Sequence, residues 1–150
     1  MIGLIKRSGP LLTLMAVACV LAAVIVPHFR VAMQHSKQKR TMADLRTLAT
    51  AWEARATDTH TYAVSARDDR VVPVSAAELR RVLVPKYVRV MPEHDGWGNP
   101  FHLAASSQEY IIRSSGKDGL FDHILGATTS FDCDIVYSNG SFFEYPEGVL

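Results

Sequence analysis

The sequence lacks the short motifs that mark the commonest enzyme classes. Its 150 residues contain no G-x-S-x-G nucleophile motif, no H-E-x-x-H zinc motif and no glycine-rich phosphate loop. Ser114 or Ser115 could be combined with His123 and an aspartate into a triad, but no spacing fixes that geometry, and the other five histidines are scattered. We therefore expect a protein that is not an enzyme.

Cysteine is also scarce. Cys19 lies in a long apolar stretch and Cys133 lies near the C-terminus, and these are the only two cysteines. Residues that belong to such different environments cannot form a disulfide within one chain. A disulfide-stapled fold is therefore excluded.

Charge is absent from one stretch and unevenly divided over the rest. Residues 10–27 (PLLTLMAVACVLAAVIVP) carry no charge, and residues 1–9 carry two basic groups. Residues 28–56 carry six basic and two acidic groups, whereas residues 57–150 carry eight basic and thirteen acidic groups. An acidic C-terminal part argues against a nucleic-acid partner. The pattern predicts a short basic N-terminal segment (1–9), a transmembrane helix (10–27), a basic stem (28–56) and a globular head (57–150).

The uncharged stretch has two interpretations. As a helix, 18 residues span roughly 27 Å, which just crosses a bilayer core. A cleaved secretory signal would also begin with basic residues, but Ala22 and Ala23 lie inside the run and are followed by further apolar residues. We favour a retained anchor. Basic residues flank both of its ends, so charge does not decide its orientation.

The stem has the pattern of an amphipathic helix. It contains no glycine or proline from residue 28 to about 56, and Met42, Leu45, Leu48 and Trp52 recur at helical spacing. Together with the anchor it predicts one helix of about 45 residues, bent at Pro27. This apolar stripe is the predicted assembly surface, and it also needs the head to pack on. The basic residues at 30–40 could contact anionic lipid headgroups or form a solvated face, and both interpretations stay open.

The head reads as a short helix followed by strands. Ser75 and Glu78 form a capping box, and Pro85 ends the helix that follows. Asn139-Gly140 is a two-residue hairpin signal. Strands are predicted at about 101–104, 109–114, 134–138 and 141–145. This order favours an α+β fold with a small antiparallel sheet of three or four strands packed on the stem.

Two loops stand out in the head. Asp95-Gly96-Trp97-Gly98-Asn99-Pro100 is a structural turn before the strand at Phe101. The second loop holds Asp118, Asp122, Asp132 and Asp134, with no lysine or arginine from residue 119 to 134. Four carboxylates so close in sequence predict either a hydrated loop or a Ca²⁺ site. The spacing is not that of an EF-hand, and His123 with Cys133 supplies too few soft ligands for zinc.

These segments together resemble the major pseudopilin of bacterial type II secretion systems, a relative of type IV pilins. The similar pieces are the apolar helix running into residues 22–27, the stem from Asp44 to Trp52, the turn at 95–100, and Ser115-Gly116-Lys117-Asp118-Gly119 followed by Asp134-Ile135. The turn is similar to the family's D-P-W-G-N-P. The loop is similar to its S-x-G-x-D-G … D-I calcium loop.

The resemblance implies a pilin-like fold with a cytoplasmic N-terminus and a periplasmic head in the inner membrane. It implies a structural calcium ion, with Asp118 and Asp134 as the best-matched ligands and Asp122 and Asp132 as weaker candidates. Its partners would be other copies of itself, minor pseudopilins and an inner-membrane secretion platform, besides membrane lipid. The filament would help to move folded proteins across the outer membrane.

The resemblance also points to Gly9-Pro10 as the candidate processing site. The family's prepilin peptidase cuts between a glycine and a phenylalanine and expects a glutamate nearby, where this chain has Leu14. Three hypotheses follow from these observations. The chain is a pseudopilus subunit, a calcium-stabilised anchored module that does not polymerise, or a minor or type IV pilin.

Overall fold

The computed structural model describes residues 5–65, 69–122 and 126–147, with side chains described from residue 11 onward. Two compact units are distinguished, residues 1–35 and residues 36–150. The long helix α1 (Ile5–Thr59) belongs to both units, and the remaining elements belong to the second. The predicted long helix is therefore confirmed, and at 55 residues it exceeds the predicted length of about 45.

In the first unit, α1 continues through Pro27 as an uninterrupted helix. All side chains from residue 11 to residue 33 are exposed. An 18-residue window in this helix has a mean hydropathy of 2.4. This helix is long and apolar enough to cross a membrane.

The second unit contains a second helix and one mixed sheet. Helix α2 is Ala76–Leu83, and the strands are β1 (Val72–Val74), β2 (His102–Ala105), β3 (Tyr110–Ser114), β4 (Gly126–Thr128), β5 (Ile135–Ser138) and β6 (Ser141–Pro146). The six strands lie in the order β1-β2-β3-β5-β6-β4. Neighbouring strands are antiparallel except for β4, which pairs with β6 in parallel.

The predicted α+β class is confirmed, but the prediction of a small antiparallel sheet was wrong in size and in type. The four predicted strands are present within one or two residues, whereas β1 and β4 were not predicted. Both are three-residue strands at the sheet edges. Pro73 stands in the middle of β1, where an edge strand tolerates a residue without an N–H. Three residues are too few to show the alternation of apolar and polar side chains that marks a strand. These segments become strands only because the neighbouring strand has unpaired backbone groups at its edge.

The local signals at the hairpin and at α2 are both confirmed. Asn139 and Gly140 have φ values of +46° and +85°, the positive pair that a two-residue hairpin between β5 and β6 requires. At α2, the Ser75 hydroxyl accepts from the Glu78 N–H (3.2 Å), and the Glu78 carboxylate accepts from the Ser75 N–H (3.1 Å). This reciprocal pair satisfies two donors at the start of the helix.

The core lies between α1 and the sheet. Leu45, Leu48 and Trp52 are fully buried, and Met42 is nearly so. They form one cluster with sheet residues that include Tyr110, whose ring centroid lies 5.4 Å from that of Trp52. Each such side chain contributes roughly 1.5–3 kcal/mol by leaving water. The expected packing of the stem stripe on the head is therefore confirmed. Both cysteines are free, as the sequence required.

Candidate functional site

One carboxylate organises the turn at residues 95–100. Asp95 is buried, and its Oδ1 accepts hydrogen bonds from the backbone N–H groups of Trp97 and Asn99, both at 2.9 Å. Its Oδ2 accepts from the hydroxyl of Ser114 on β3 at 2.8 Å. The side chain therefore closes the turn and fastens it to the sheet. The half-buried ring of Trp97 packs against the core.

The same turn makes a close backbone contact with α1. The Gly96 N–H donates to Thr41 Oγ1 at 2.8 Å, and Thr41 Oγ1 donates to the Lys37 carbonyl at 3.0 Å. A Cβ atom added at Gly96 would collide with the backbone carbonyl and Cα of Lys37. Only glycine therefore permits this approach of the turn to the helix.

On its other side the turn holds the start of the acidic loop. Asn99 Nδ2 donates to the Gly116 carbonyl at 2.7 Å. Gly116 has a φ of +63°, and a Cβ there would strike the carbonyl oxygens of Asp132 and Cys133. The Lys117 N–H also donates to the Phe131 carbonyl at 2.9 Å. The two ends of the loop are thus held side by side, and the turn links α1, β3 and this loop.

Asp134 is the buried charge of the loop. Its side chain is fully buried, and its Oδ2 accepts from Arg113 Nε at 2.6 Å and from the Asp122 N–H at 3.0 Å. Arg113 Nη2 lies against the same Oδ2 and also donates to the Asp122 carbonyl. Burial raises the pKa of Asp134, and its hydrogen bond and charge interaction with Arg113 oppose that rise. Oδ1 of Asp134 has no hydrogen-bond partner among the described residues.

The other predicted calcium ligands are placed differently. Asp118 is exposed, and its Oδ1 accepts from the Leu120 N–H at 3.0 Å. Asp132 is half-exposed and pairs with Lys117 Nζ at 3.4 Å. The described ranges contain no group of three or more His, Cys, Asp or Glu side chains that could hold a metal ion. Calcium binding at this loop stays a prediction. His123, considered for zinc and for a triad, lies outside the described residues.

The predicted assembly stripe proves to be part of the core. Met42, Leu45, Leu48 and Trp52 are at most 2% exposed, because they pack in the core against the chain's own sheet. Their burial accounts for the stripe within the fold, and its role in assembly stays a prediction. The sequence showed that the stripe needed a partner, but periodicity does not distinguish an internal partner from an external one.

A different face of α1 is exposed, and its residues are small. The threonine hydroxyls on this face donate to the carbonyl four residues earlier, so they present mainly methyl groups outward. The exposed small residues are Ala43, Thr47, Thr50, Ala54 and Thr57. Their low hydrophobicity left them unnoticed in the sequence, although they recur every three or four residues.

The sequence did not reveal three further polar residues that hold the second unit together. Thr41 and Arg113 have been described above. The third, Glu53 on α1, accepts a hydrogen bond from the buried Tyr110 hydroxyl, which in turn accepts from the Gly140 N–H at 3.2 Å. Burial, and then the bond to Glu53, raise the pKa of Tyr110. The signal available for Arg113 was its place in the sequence shortly before the four aspartates of the acidic loop.

The candidate processing site lies in α1, near its beginning. Gly9 and Pro10 belong to the helix, and their burial lies outside the described part of the structure. The cleavage expectation is therefore untouched by the fold.

No protein-family model matches the chain, and neither does any curated protein or solved structure. The function has to be inferred from the residues and their geometry.

Proposed function

We propose that this chain is a membrane-anchored, pilin-like structural subunit that assembles with copies of itself, in the manner of a type II secretion pseudopilin. The observation that carries the proposal is α1, whose exposed apolar part is joined in one continuous helix to the core of an α+β unit. The sequence resemblance supports the same function. The proposal places the N-terminus in the cytoplasm and the second unit in the periplasm.

The exposed apolar side chains of α1 need a nonpolar environment. Leu12, Leu14, Val20 and Ile25 are at least 60% exposed, and the 18-residue apolar window of this helix has no buried residue. Water is a poor solvent for such a continuous surface, so lipid or other apolar helices have to cover it. A membrane anchor and a helix-packed filament both meet this requirement. A pseudopilin helix would lie in lipid before assembly and would pack against other apolar helices in the filament.

The small-residue face of α1 supports contact with a second copy. Small side chains allow two helix backbones to approach closely, as they do in helix pairs inside membranes. Since their hydroxyls already have partners within the helix, Thr47, Thr50 and Thr57 lose little on being buried. We therefore place the contact between copies on this face, in place of the buried stripe. Lys39 and Arg40, which are exposed on the same helix, would face anionic lipid headgroups before assembly.

Photo-cross-linking in native membranes tests this function. A benzophenone amino acid at Thr50 lies on the proposed contact face, whereas the same amino acid at Val90, which is 80% exposed, lies in a segment of the second unit outside α1. We expect illumination to give a ladder of dimers, trimers and larger species from the Thr50 variant and far fewer from the Val90 variant. The ladder requires each copy to contact two neighbours.

Monomers alone at both positions would refute the assembly function. That result would favour an anchored module that does not polymerise, because the anchor and fold would remain without self-contact. Equal ladders from both positions would also count against the proposal, since they would indicate crowding in the membrane instead of a contact through α1.

A further inference from the structure

We propose that the guanidinium of Arg113 is the cation that closes the acidic loop, so that its described parts, residues 115–122 and 126–134, are held by the chain itself and need no metal ion. The inference concerns the second unit alone and does not depend on whether the chain assembles. It rests on the position of one buried carboxylate and on the groups that already surround it.

The first support is charge. A fully buried carboxylate is stable only when an opposite charge and hydrogen bonds replace the water it has lost. Arg113 supplies both, because Nε donates to Asp134 Oδ2 at 2.6 Å and Nη2 lies against the same oxygen. The pair joins β3 to the residue just before β5. Asp134 therefore already has the positive partner that a bound cation would otherwise provide.

The second support is that Arg113 also holds the far side of the loop. Its Nη2 donates to the Asp122 carbonyl, while the Asp122 N–H donates to Asp134 Oδ2 at 3.0 Å. Residues 113, 122 and 134 therefore form a closed set of hydrogen bonds. A divalent cation joins distant segments in the same way, by drawing carboxylate and carbonyl oxygens together.

The third support is that the guanidinium is fixed in place. The Phe121 ring lies over it, with the Arg113 Cζ atom 4.5 Å from the ring centroid. His102 meets the same ring edge-on at a centroid distance of 4.5 Å. An arginine stacked in this way keeps its planar group oriented toward its acceptors. Only 21% of the Arg113 side chain is exposed.

The side chains of Asp118 and Asp132 do not compete with this arrangement. Asp118 caps the Leu120 N–H, and Asp132 pairs with Lys117. A calcium ion bound through the free Oδ1 of Asp134 would lie close to the guanidinium and be repelled by it. The charge that a metal would bring is already present.

The test uses the full-length chain in detergent micelles, purified without chelator. We expect less than about 0.1 calcium per chain by elemental analysis and an unchanged Tm, followed by tryptophan fluorescence, when either EDTA or millimolar CaCl₂ is added. Bound calcium near one ion per chain, or a Tm that falls in EDTA and returns with CaCl₂, would overturn the proposal. These measurements need no variant.

Substitution tests the role of Arg113 directly. Arg113→Ala leaves a buried carboxylate unpaired, so we expect the Tm to fall by about 10 °C. Hydrogen exchange at the Asp122 amide should also accelerate at least tenfold. Arg113→Lys keeps the charge but not the fork of donors, and it should lie between Arg113→Ala and the unmodified chain. The matched control is Arg80→Ala, which breaks an exposed 3.0 Å ion pair with Glu93 and should lower the Tm by less than about 3 °C.

Two outcomes of the variant series would contradict the proposal. One is an Arg113→Ala protein with the Tm and Asp122 exchange rate of the Arg80→Ala control. The other is an Arg113→Ala protein that melts as low as expected while the unmodified chain itself carries calcium. If Arg113→Ala fails to fold, the Arg113→Lys variant and the calcium measurements on the unmodified chain still decide between the two cations.

Discussion

The close contact between Gly96 and α1 gives the sharpest test of how the second unit is held together. Replacing Gly96 by alanine places a Cβ atom inside the van der Waals surface of the Lys37 backbone. Neither partner is the end of a flexible side chain, so the turn has to move away from the helix. That movement also breaks the 2.8 Å hydrogen bond from the Gly96 N–H to Thr41 Oγ1.

The size of the effect follows from these two losses. Overpacking of a tight contact costs about 1–3 kcal/mol, and leaving the partly buried Gly96 N–H unpaired costs about another 1–3 kcal/mol. For a chain of 150 residues, each kcal/mol changes the Tm by roughly 2–4 °C. We therefore expect Gly96→Ala to lower the Tm by about 10 °C.

The assay is thermal unfolding of the full-length chain in detergent, followed by the fluorescence of its two tryptophans. Gly98→Ala is the control in the same turn. A Cβ at Gly98 would meet nothing within 4 Å, but its φ of +98° strains an alanine by about 1–2 kcal/mol. Thr41→Val measures the hydrogen-bond loss separately, because it removes the acceptor for the Gly96 N–H while keeping the shape of the side chain.

The reasoning would be refuted if Gly96→Ala melted at or above the temperature of Gly98→Ala. It would be refuted in part if Thr41→Val melted at the temperature of the unmodified chain, since the hydrogen bond would then contribute nothing measurable. In that case steric contact alone would account for the requirement for glycine.

Two further predictions concern the core. Leu45→Ala should destabilise the detergent-dispersed chain by about 2–5 kcal/mol, because Leu45 is fully buried. The exposed control Val90→Ala should change the free energy of unfolding by less than about 0.5 kcal/mol. Equal melting temperatures of the two variants would return Leu45 to the assembly surface. Since burial and the bond to Glu53 raise the pKa of Tyr110 above its ordinary value of 10.0, the folded chain keeps that proton where the unfolded chain loses it. The Tm should therefore fall as the pH rises above about 10, and the Tm of Tyr110→Phe should fall less steeply over the same range. Identical slopes for the two proteins would contradict this prediction. The raised pKa of Tyr137 adds a smaller contribution that both proteins share.

The sequence by itself determined the features that depend on near neighbours in the chain. The uninterrupted apolar and amphipathic pattern predicted α1, Ser75 with Glu78 predicted the start of α2, and Asn139-Gly140 predicted the β5–β6 hairpin. In each case the physical cause acts within four residues: helical periodicity, a reciprocal cap or a positive pair of φ angles. Such causes can be read without knowing what the segment packs against.

The tertiary structure decided everything that depends on residues far apart in the chain. Strands β1 and β4 form because longer strands offer them an edge, and the stripe containing Leu45 is an internal contact because the sheet covers it. The pairing of Arg113 with Asp134 joins residues 21 positions apart, and the Gly96–Thr41 contact joins residues 55 apart. Composition indicated an acidic loop that is either hydrated or shared by a cation. Only the register of β3 beside β5 placed an arginine there, because strand pairing fixes which side chains meet.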